Sequence, residues 1–456
     1  MNAAFLTLGC KVNSYETEKM KQQFKQAGYG IVSFEEQAQV YIINTCTVTN
    51  IADRKSRKMI HRAKRNHPDA LVVATGCYVD SSEKRGEKDP DVDLFVSNKE
   101  KENIFHIVDE AIKEALEKKK FEAGGCLAGM DALESGFSTE AKREEHTRAY
   151  INVQQGCNQY CTYCIIPYVR GPLFSRSEED VIKEAEALAA KGFLEVVITG
   201  IHLSSYGLDR SEKKSFLELE GKPLLRLVER ISKVDGIERI RLGSLEPRII
   251  TETFATELSG IRKICPHFHL SLQSGCDATL RRMNRHYSTE EYLEKAEILR
   301  RYFAEPAITT DIIVGFPGET EEEFMQTLRF AEKVQFSKIH MFKYSRRKGT
   351  MADAMDGQIT ENEKAERLKR LSVIEKKSEK DYQENFFQRE EQVLFEEVIS
   401  YEGENYLVGY TERYLRMGVK VMDVKKAEKR VNTIARVAVL DKRTKEFLLC
   451  ELCDCE

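Results

Sequence analysis

The chain is 456 residues long, enough for about three domains that each bury a core. Charged residues make up 32%, yet the formal net charge is only -4, so the molecule as a whole is not drawn to a polyanion and any nucleic-acid site must be a local basic patch. Twelve cysteines in so long a chain exclude a secreted disulfide framework and read as reduced cytoplasmic thiols open to metal. The start, Met1 to Cys10, lacks the basic region and the apolar run of a signal peptide, and no segment reaches membrane-spanning length, so a soluble protein with no membrane partner is expected.

In chain order, the first third alternates apolar runs with helical patterns. Ala3 to Leu8, Val40 to Ile43 and Leu71 to Ala74 read as buried strands. Asn13 with Glu16 three residues on has the form of a capping box for a helix carrying Met20, Phe24 and Ala27, with Gly28 as its stop. A second helix is expected from Asn50 to just before Pro68. Cys10, Cys46 and Cys77 each follow one of the three strands. Crossover helices make such strands parallel, so the thiols should emerge at one carboxyl edge, where α/β sheets bind ligands. Two readings stay open at this point: convergence on one metal, or three small buried apolar side chains. On the second helix, Arg54, Arg57, Lys58, Arg62 and Arg65 fall near one face, which suggests phosphate contacts or simply a solvated surface.

Ala111 to His146 is charged and interrupted by Gly124, Gly125 and Gly129, and reads as an interdomain connection in which Cys126 has no assigned role. From Arg148 the alternation resumes. Strands are expected at Ala149 to Gln154, Leu194 to Thr199, Arg239 to Gly243, Phe268 to Leu272, Ile308 to Val314 and Lys338 to Phe342, with helices between. Six such units make a partial, open β/α barrel, whose functional groups sit at strand carboxyl ends. Directly after the first strand come Cys157, Cys161 and Cys164, separated by three and then two residues. Three soft sulfur ligands without a fourth nearby leave one position of a metal centre open, unlike a closed structural zinc site; a zinc knuckle is the alternative. Other strand ends carry Thr199-Gly200, Ser244 to Pro247, Gln273-Ser274-Gly275 and Gly315 to Glu319, where glycine lets backbone approach a ligand or merely makes a tight turn.

Glu361 to Tyr382 reads as a connecting helix, followed by five short strands and hence a small β-barrel. Between Arg413 and Lys445 eleven basic residues stand against three acidic ones, and with Tyr410 and Tyr414 this is the mixture of charge and stacking surface used by RNA-binding barrels, or else a basic structural cap. The end, with Cys450, Cys453 and Cys455, reads as a tail that either binds metal or is simply a reduced, exposed end. The expected domains are 1–120, a linker at 121–145, 146–375, 376–447 and the tail 448–456.

The loop Gly156-Cys157-Asn158-Gln159-Tyr160-Cys161-Thr162-Tyr163-Cys164 resembles the cluster loop of the radical S-adenosylmethionine (SAM) enzymes. Thr7 to Asn13, Asn44 to Thr49 and Thr75 to Tyr78 resemble the three cluster-binding loops of the methylthiotransferases within that group, and the likeness covers nearly the whole chain. The resemblance implies two 4Fe-4S clusters, one on Cys157, Cys161 and Cys164 that binds SAM, and an auxiliary one on Cys10, Cys46 and Cys77 that presents sulfur. It further implies SAM contacts from Tyr163, Thr199, Gly200, Glu246, Gln273 and Gly315, although the acidic Glu319 sits one position later than the commonest form of its motif. The final barrel resembles a TRAM domain. Expected partners are tRNA, an external one-electron reductant and a sulfur donor. Ile198 to Gly207 and His269 to Tyr287 most resemble the branch acting on threonylcarbamoyl-adenosine beside the tRNA anticodon. Isopentenyl-adenosine or a ribosomal-protein aspartate are the alternative substrates, and a non-catalytic iron-sulfur electron carrier or RNA-binding scaffold is the alternative class.

Overall fold

The computed structural model describes residues 1–122, 147–210 and 219–453. These fall into an N-terminal unit, which includes Tyr168–Gly171, and a second unit formed by the rest from Thr147 to Cys453. Cys126, Cys455 and most of the expected linker lie outside the described residues.

The N-terminal unit is a five-stranded sheet in the order β2-β1-β3-β4-β5, every pairing parallel, with β1 at Asn2–Thr7, β2 at Gly30–Val32, β3 at Val40–Thr45, β4 at Leu71–Gly76 and β5 at Leu94–Val96. Strand β3 is buried along its whole length, as a strand covered on both faces must be. The short edge strands β2 and β5 escape sequence reading because three residues are too few to show a period. Helix α1 spans Lys11–Gln26 and ends before Gly28, whose φ of 85° takes the chain out of the helix. The expected capping box is absent: Cys10 is the N-cap residue, and Asn13 and Glu16 lie inside the helix with buried partners of their own. Helix α2 runs Asn50–Asn66, capped by the Thr49 side chain on Ala52 N, and α3 runs Cys77–Lys84.

The second unit carries the parallel strands β6 (Arg148–Gln155), β8 (Glu195–Gly200), β9 (Arg239–Leu242), β10 (His267–His269), β11 (Ala307–Val314) and β12 (Lys338–Lys343), with the two-residue β7 (Phe174–Ser175) antiparallel on the edge of β6. Bridges at Ile240/Ile264 and Leu245/Leu270 carry the wall from β9 to β10, giving the expected open six-stranded partial barrel. Ile151, Ile198, Leu242, Phe268, Ile312 and Ile339 pack outward into one large core. Alternation then turns Tyr150, Asn152, Thr199, Arg241, His269, Asp311 and His340 inward.

After the helix Glu361–Glu384, strands β13 (Glu390–Tyr401), β14 (Glu404–Thr411), β15 (Arg416–Lys420), β16 (Ile434–Arg443) and β17 (Leu448–Leu452) close a barrel in the order β13-β14-β15-β17-β16. The segment expected as a tail therefore supplies the last barrel strand. Cys450 is buried in the barrel core, where desolvation pushes its thiol up to about 12, and it is not an exposed metal ligand. Fully buried Arg241 meets Glu195 at 2.8 Å and donates to Glu412 O at 2.7 Å, while Arg239 donates to Tyr410 O at 3.1 Å. Tyr410 and Tyr414 stack on each other at 4.7 Å, and the Arg148 guanidinium lies 4.7 Å from one ring and 4.8 Å from the other. Their faces are spent inside the protein, so they are not base-stacking platforms. The basic stretch is also partly neutralised by acids from outside the counted window: Arg413 pairs with Glu391, Arg416 with Glu397 and Glu446, and Lys420 with Glu404. Lys425, Lys426, Lys429, Lys442 and Lys445 remain exposed.

Candidate active site: two cysteine triads

Cys10, Cys46 and Cys77 follow the carboxyl ends of the adjacent parallel strands β1, β3 and β4, so the topology brings together three thiols that are far apart in sequence. Gly9 has φ 106°, and a Cβ there would lie 2.7 Å from Cys46 Cβ and 2.9 Å from its Sγ; only glycine lets the Cys10 loop approach Cys46 this closely. Gly76 repeats the device before Cys77, where a Cβ would meet Thr45 O at 2.5 Å. Asn13 ties the loops together, donating through Nδ2 to Leu8 O at 2.6 Å and Thr45 O at 2.9 Å. Ser56 holds the third side: its Oγ accepts from Cys46 N at 3.1 Å and donates to Cys46 O at 2.9 Å. Burial, reinforced by Cys77 and Cys10, pushes the Cys46 thiol up to about 11.

An ionic network absent from the sequence reading lies beneath these loops. Arg170 donates to Glu16 Oε1 at 2.8 Å and Asn13 Oδ1 at 2.7 Å, and Lys101 donates to Glu16 Oε2 at 2.6 Å and Asn44 Oδ1 at 2.9 Å. Burial alone would raise the Glu16 carboxyl, but Lys101 and Arg170 override it and hold it at about 2. Burial likewise disfavours the Arg170 cation, yet Cys77, Glu16 and Cys10 hold it charged. Arg170 was missed because nothing in its local sequence marks a residue whose partners lie 154 and 157 positions away. On α2, Arg54, Arg57, Lys58 and Arg65 are exposed and Arg62 pairs with Glu35; Val48 and Ile51, flanking the start of that helix, are 47% and 77% exposed.

The second triad sits on the loop after β6. Thr162 N donates to Met283 O at 3.1 Å, its Oγ1 donates to Arg282 O at 2.9 Å, and Asn284 Nδ2 donates to Tyr160 O at 3.1 Å, so a segment more than a hundred residues on holds the loop open. Tyr163 packs edge-on to Phe316 beside Met283 and Tyr344. Burial pushes Cys157 up to about 11 and Cys164 further. Cys161 differs: its Sγ accepts from Arg285 Nη1 at 3.3 Å.

The other predicted residues gather at the same strand ends. Thr199 is buried at the end of β8, and a Cβ on Gly200 would lie 2.9 Å from the Gln154 side chain. Buried Glu246 meets His202 Nε2 at 2.9 Å and also Arg248, whose Nη2 reaches Gln159 of the cysteine loop at 3.3 Å. Burial opposes its charge, but His202, Arg248 and Arg285 keep it ionised, well below the usual carboxylate range. Gln273 adopts φ 71°, a strained value for a non-glycine residue, while its N donates to Asp311 O at 2.8 Å. Gly315 N donates to Glu319 Oε2 at 2.7 Å, and Glu319 pairs with Arg367 at 2.6 Å, so Glu319 serves the turn itself.

Across residues 151–331 the chain matches the radical SAM superfamily, and across 2–97 the uncharacterized protein family UPF0004. The fold is also that of a radical SAM methyltransferase, TsrM from Kitasatospora setae, at TM-score 0.51 and 16% identity over 75% of this chain and 72% of that one. Fold and site together define a radical SAM protein. The chain is 40% identical to the threonylcarbamoyladenosine tRNA methylthiotransferase MtaB of Bacillus subtilis, over 91% of its own length and 90% of the relative's. It is 38% identical to the protein of the same name from Aquifex aeolicus over 92% and 98%. A tRNA-2-methylthio-N(6)-dimethylallyladenosine synthase of Caldicellulosiruptor saccharolyticus is 36% identical over 80% and 76%. This chain belongs to the radical SAM tRNA methylthiotransferase family.

Its cofactors are accordingly SAM and 4Fe-4S clusters. The residues present fit them. Among the described residues, the group of three ligating atoms that closes to within 4.8 Å is His61, Asp89 and Asp91, not either cysteine triad. Each triad offers three free thiols, and all-thiol donor sets suit iron-sulfur. Among the described residues, no helix is long and apolar enough to cross a membrane.

Proposed function

We propose that this protein installs a methylthio group at C2 of N6-threonylcarbamoyladenosine beside the anticodon of tRNA. Cys157, Cys161 and Cys164 hold the SAM-binding cluster, and Cys10, Cys46 and Cys77 hold the auxiliary one. The bound cofactors supply radical carbon chemistry, the sulfur and the methyl group. The polypeptide binds, orients and excludes water. Thr199, Gly200, Gln273 and Gly315 line strand ends where SAM is held; Tyr163 anchors the cluster loop against Phe316, and Glu246, bonded to His202, acts through Arg248 to steady that loop.

The observation that carries this reading is the pair of three-thiol sites, each at the carboxyl ends of parallel strands. The choice of substrate draws support from the barrel's polar inner wall. His269 bonds Thr309 Oγ1 at 3.0 Å and Asp311 Oδ2 at 3.2 Å, with the exposed His340 ring 5.6 Å away. Such groups match a carbamoyl-threonine substituent, which offers hydroxyl, amide and carboxylate, better than an apolar isopentenyl chain. Cytoplasmic operation, a one-electron reductant and a sulfur donor follow from the same chemistry.

Mass spectrometry of bulk tRNA nucleosides from a deletion strain tests the substrate. Loss of the methylthio derivative with accumulation of threonylcarbamoyl-adenosine is expected; retention of the methylthio product would overturn the assignment.

A further inference from the structure

The three cysteines of the barrel triad are not equivalent. Cys157 Sγ accepts a backbone N–H from Gln159 at 3.5 Å, whereas Cys161 receives a cation. Arg285 is fixed for that task. Its Nε donates to Tyr287 Oη at 3.0 Å, its guanidinium lies 4.9 Å from the Tyr287 ring, and buried Tyr287 donates in turn to Ser271 O at 2.6 Å and Leu272 O at 2.9 Å. One fork nitrogen is thereby left aimed at Cys161 Sγ.

We propose that Arg285 is a positioning residue that raises the electron affinity of the cluster, given that Cys157, Cys161 and Cys164 hold it as proposed above. Adding an electron makes the cluster more negative, and that charge spreads onto the cysteine sulfurs. A cationic donor on one sulfur stabilises the reduced form more than the oxidised form, which is how surrounding hydrogen bonds tune such centres. Tyr287 supplies the rigidity, because a freely rotating arginine would turn to water instead.

The test is an anaerobic redox titration of the full chain, read by electron paramagnetic resonance without SAM. It uses a Cys10→Ala/Cys46→Ala/Cys77→Ala background, so that one cluster is observed. At a fixed potential, Arg285→Gln should lower the reduced-to-oxidised ratio about tenfold, a midpoint shift of about 59 mV to more negative values for a one-electron couple. Arg285→Lys, which keeps the charge, should recover most of it, and Tyr287→Phe should shift it the same way by a smaller factor.

An unchanged midpoint in Arg285→Gln with full iron content overturns the proposal, as does a loss confined to SAM affinity, which would make Arg285 a SAM contact. Where Arg285→Gln fails to hold iron, the Lys and Phe variants decide: the graded shift supports the proposal, and wild-type midpoints in both overturn it. The ligand assignment itself is checked separately. Iron that persists after Cys157, Cys161 and Cys164 are all changed to alanine removes that premise whatever Arg285 does.

Discussion

The two cysteine triads reach similar ends by opposite routes. In the barrel, one short loop carries all three thiols, and the rest of the unit has only to pin the loop open through Met283, Arg282 and Asn284. In the N-terminal unit no segment carries more than one thiol; the site exists only because β1, β3 and β4 are adjacent and parallel. A contiguous loop survives local loosening, whereas a site built across three strand ends depends on every close approach among them. Gly9, Gly76, Asn13 and Ser56 serve those approaches.

The largest expected effect separates the triads chemically. Cys161→Ala should abolish release of 5′-deoxyadenosine from SAM under dithionite. Cys46→Ala should retain that release, make no methylthio product, and fall from about eight irons per chain to about four. Iron analysis and chromatography of the same samples check both.

Next in size is the barrel floor. Glu195→Ala strands the fully buried Arg241, and breaking a buried pair from one side costs about 3–5 kcal/mol. A lower urea midpoint with normal iron uptake in folded protein is expected.

The pH response of Glu16 sharpens the comparison further. Its carboxyl is held at about 2 against an ordinary 4.5, so its stabilisation is present above pH 4.5 and is lost as pH falls toward 2. For the apo protein this amounts to something on the order of 3 kcal/mol, by the usual 1.36 kcal/mol per unit. Urea titrations across that window should show the loss in wild type and a flatter profile in Glu16→Gln.

Smaller again is Gly9→Ala, expected to cost about 1–3 kcal/mol through strain and to lower auxiliary iron selectively. Gly171→Ala, with φ 75° but nothing within 4 Å of the added Cβ, should cost about 1 kcal/mol and leave iron content unchanged. Thermal melts and iron counts distinguish them. The smallest effect belongs to α2: Arg57→Gln should weaken tRNA binding uniformly and reduce the salt slope by about one, as measured by filter binding at several salt concentrations.

Much of this was legible beforehand for definite reasons. The six barrel strands show long apolar runs with functional residues at their ends, and the spacing of Cys157, Cys161 and Cys164 needs no partner to be recognised. Asn13 and Glu16 misled because a capping box and two polar side chains that bond distant buried partners look alike in one dimension. Tyr410 and Tyr414 misled because an aromatic in a basic stretch says nothing about whether its face is already taken by Arg148. The count of basic residues overstated the free charge, since Glu391, Glu397 and Glu404 arrive from neighbouring strands.

From the sequence alone came the succession of elements, the contiguous triad and the placement of each other thiol just after a strand, since these depend on periodicity and near neighbours. Only the tertiary structure decided which buried charges face the thiols. Arg170 meets Glu16 and Arg285 meets Cys161 across separations of 154 and 124 residues, and such pairings follow from how strands and loops are stacked in space rather than from anything written locally in the chain.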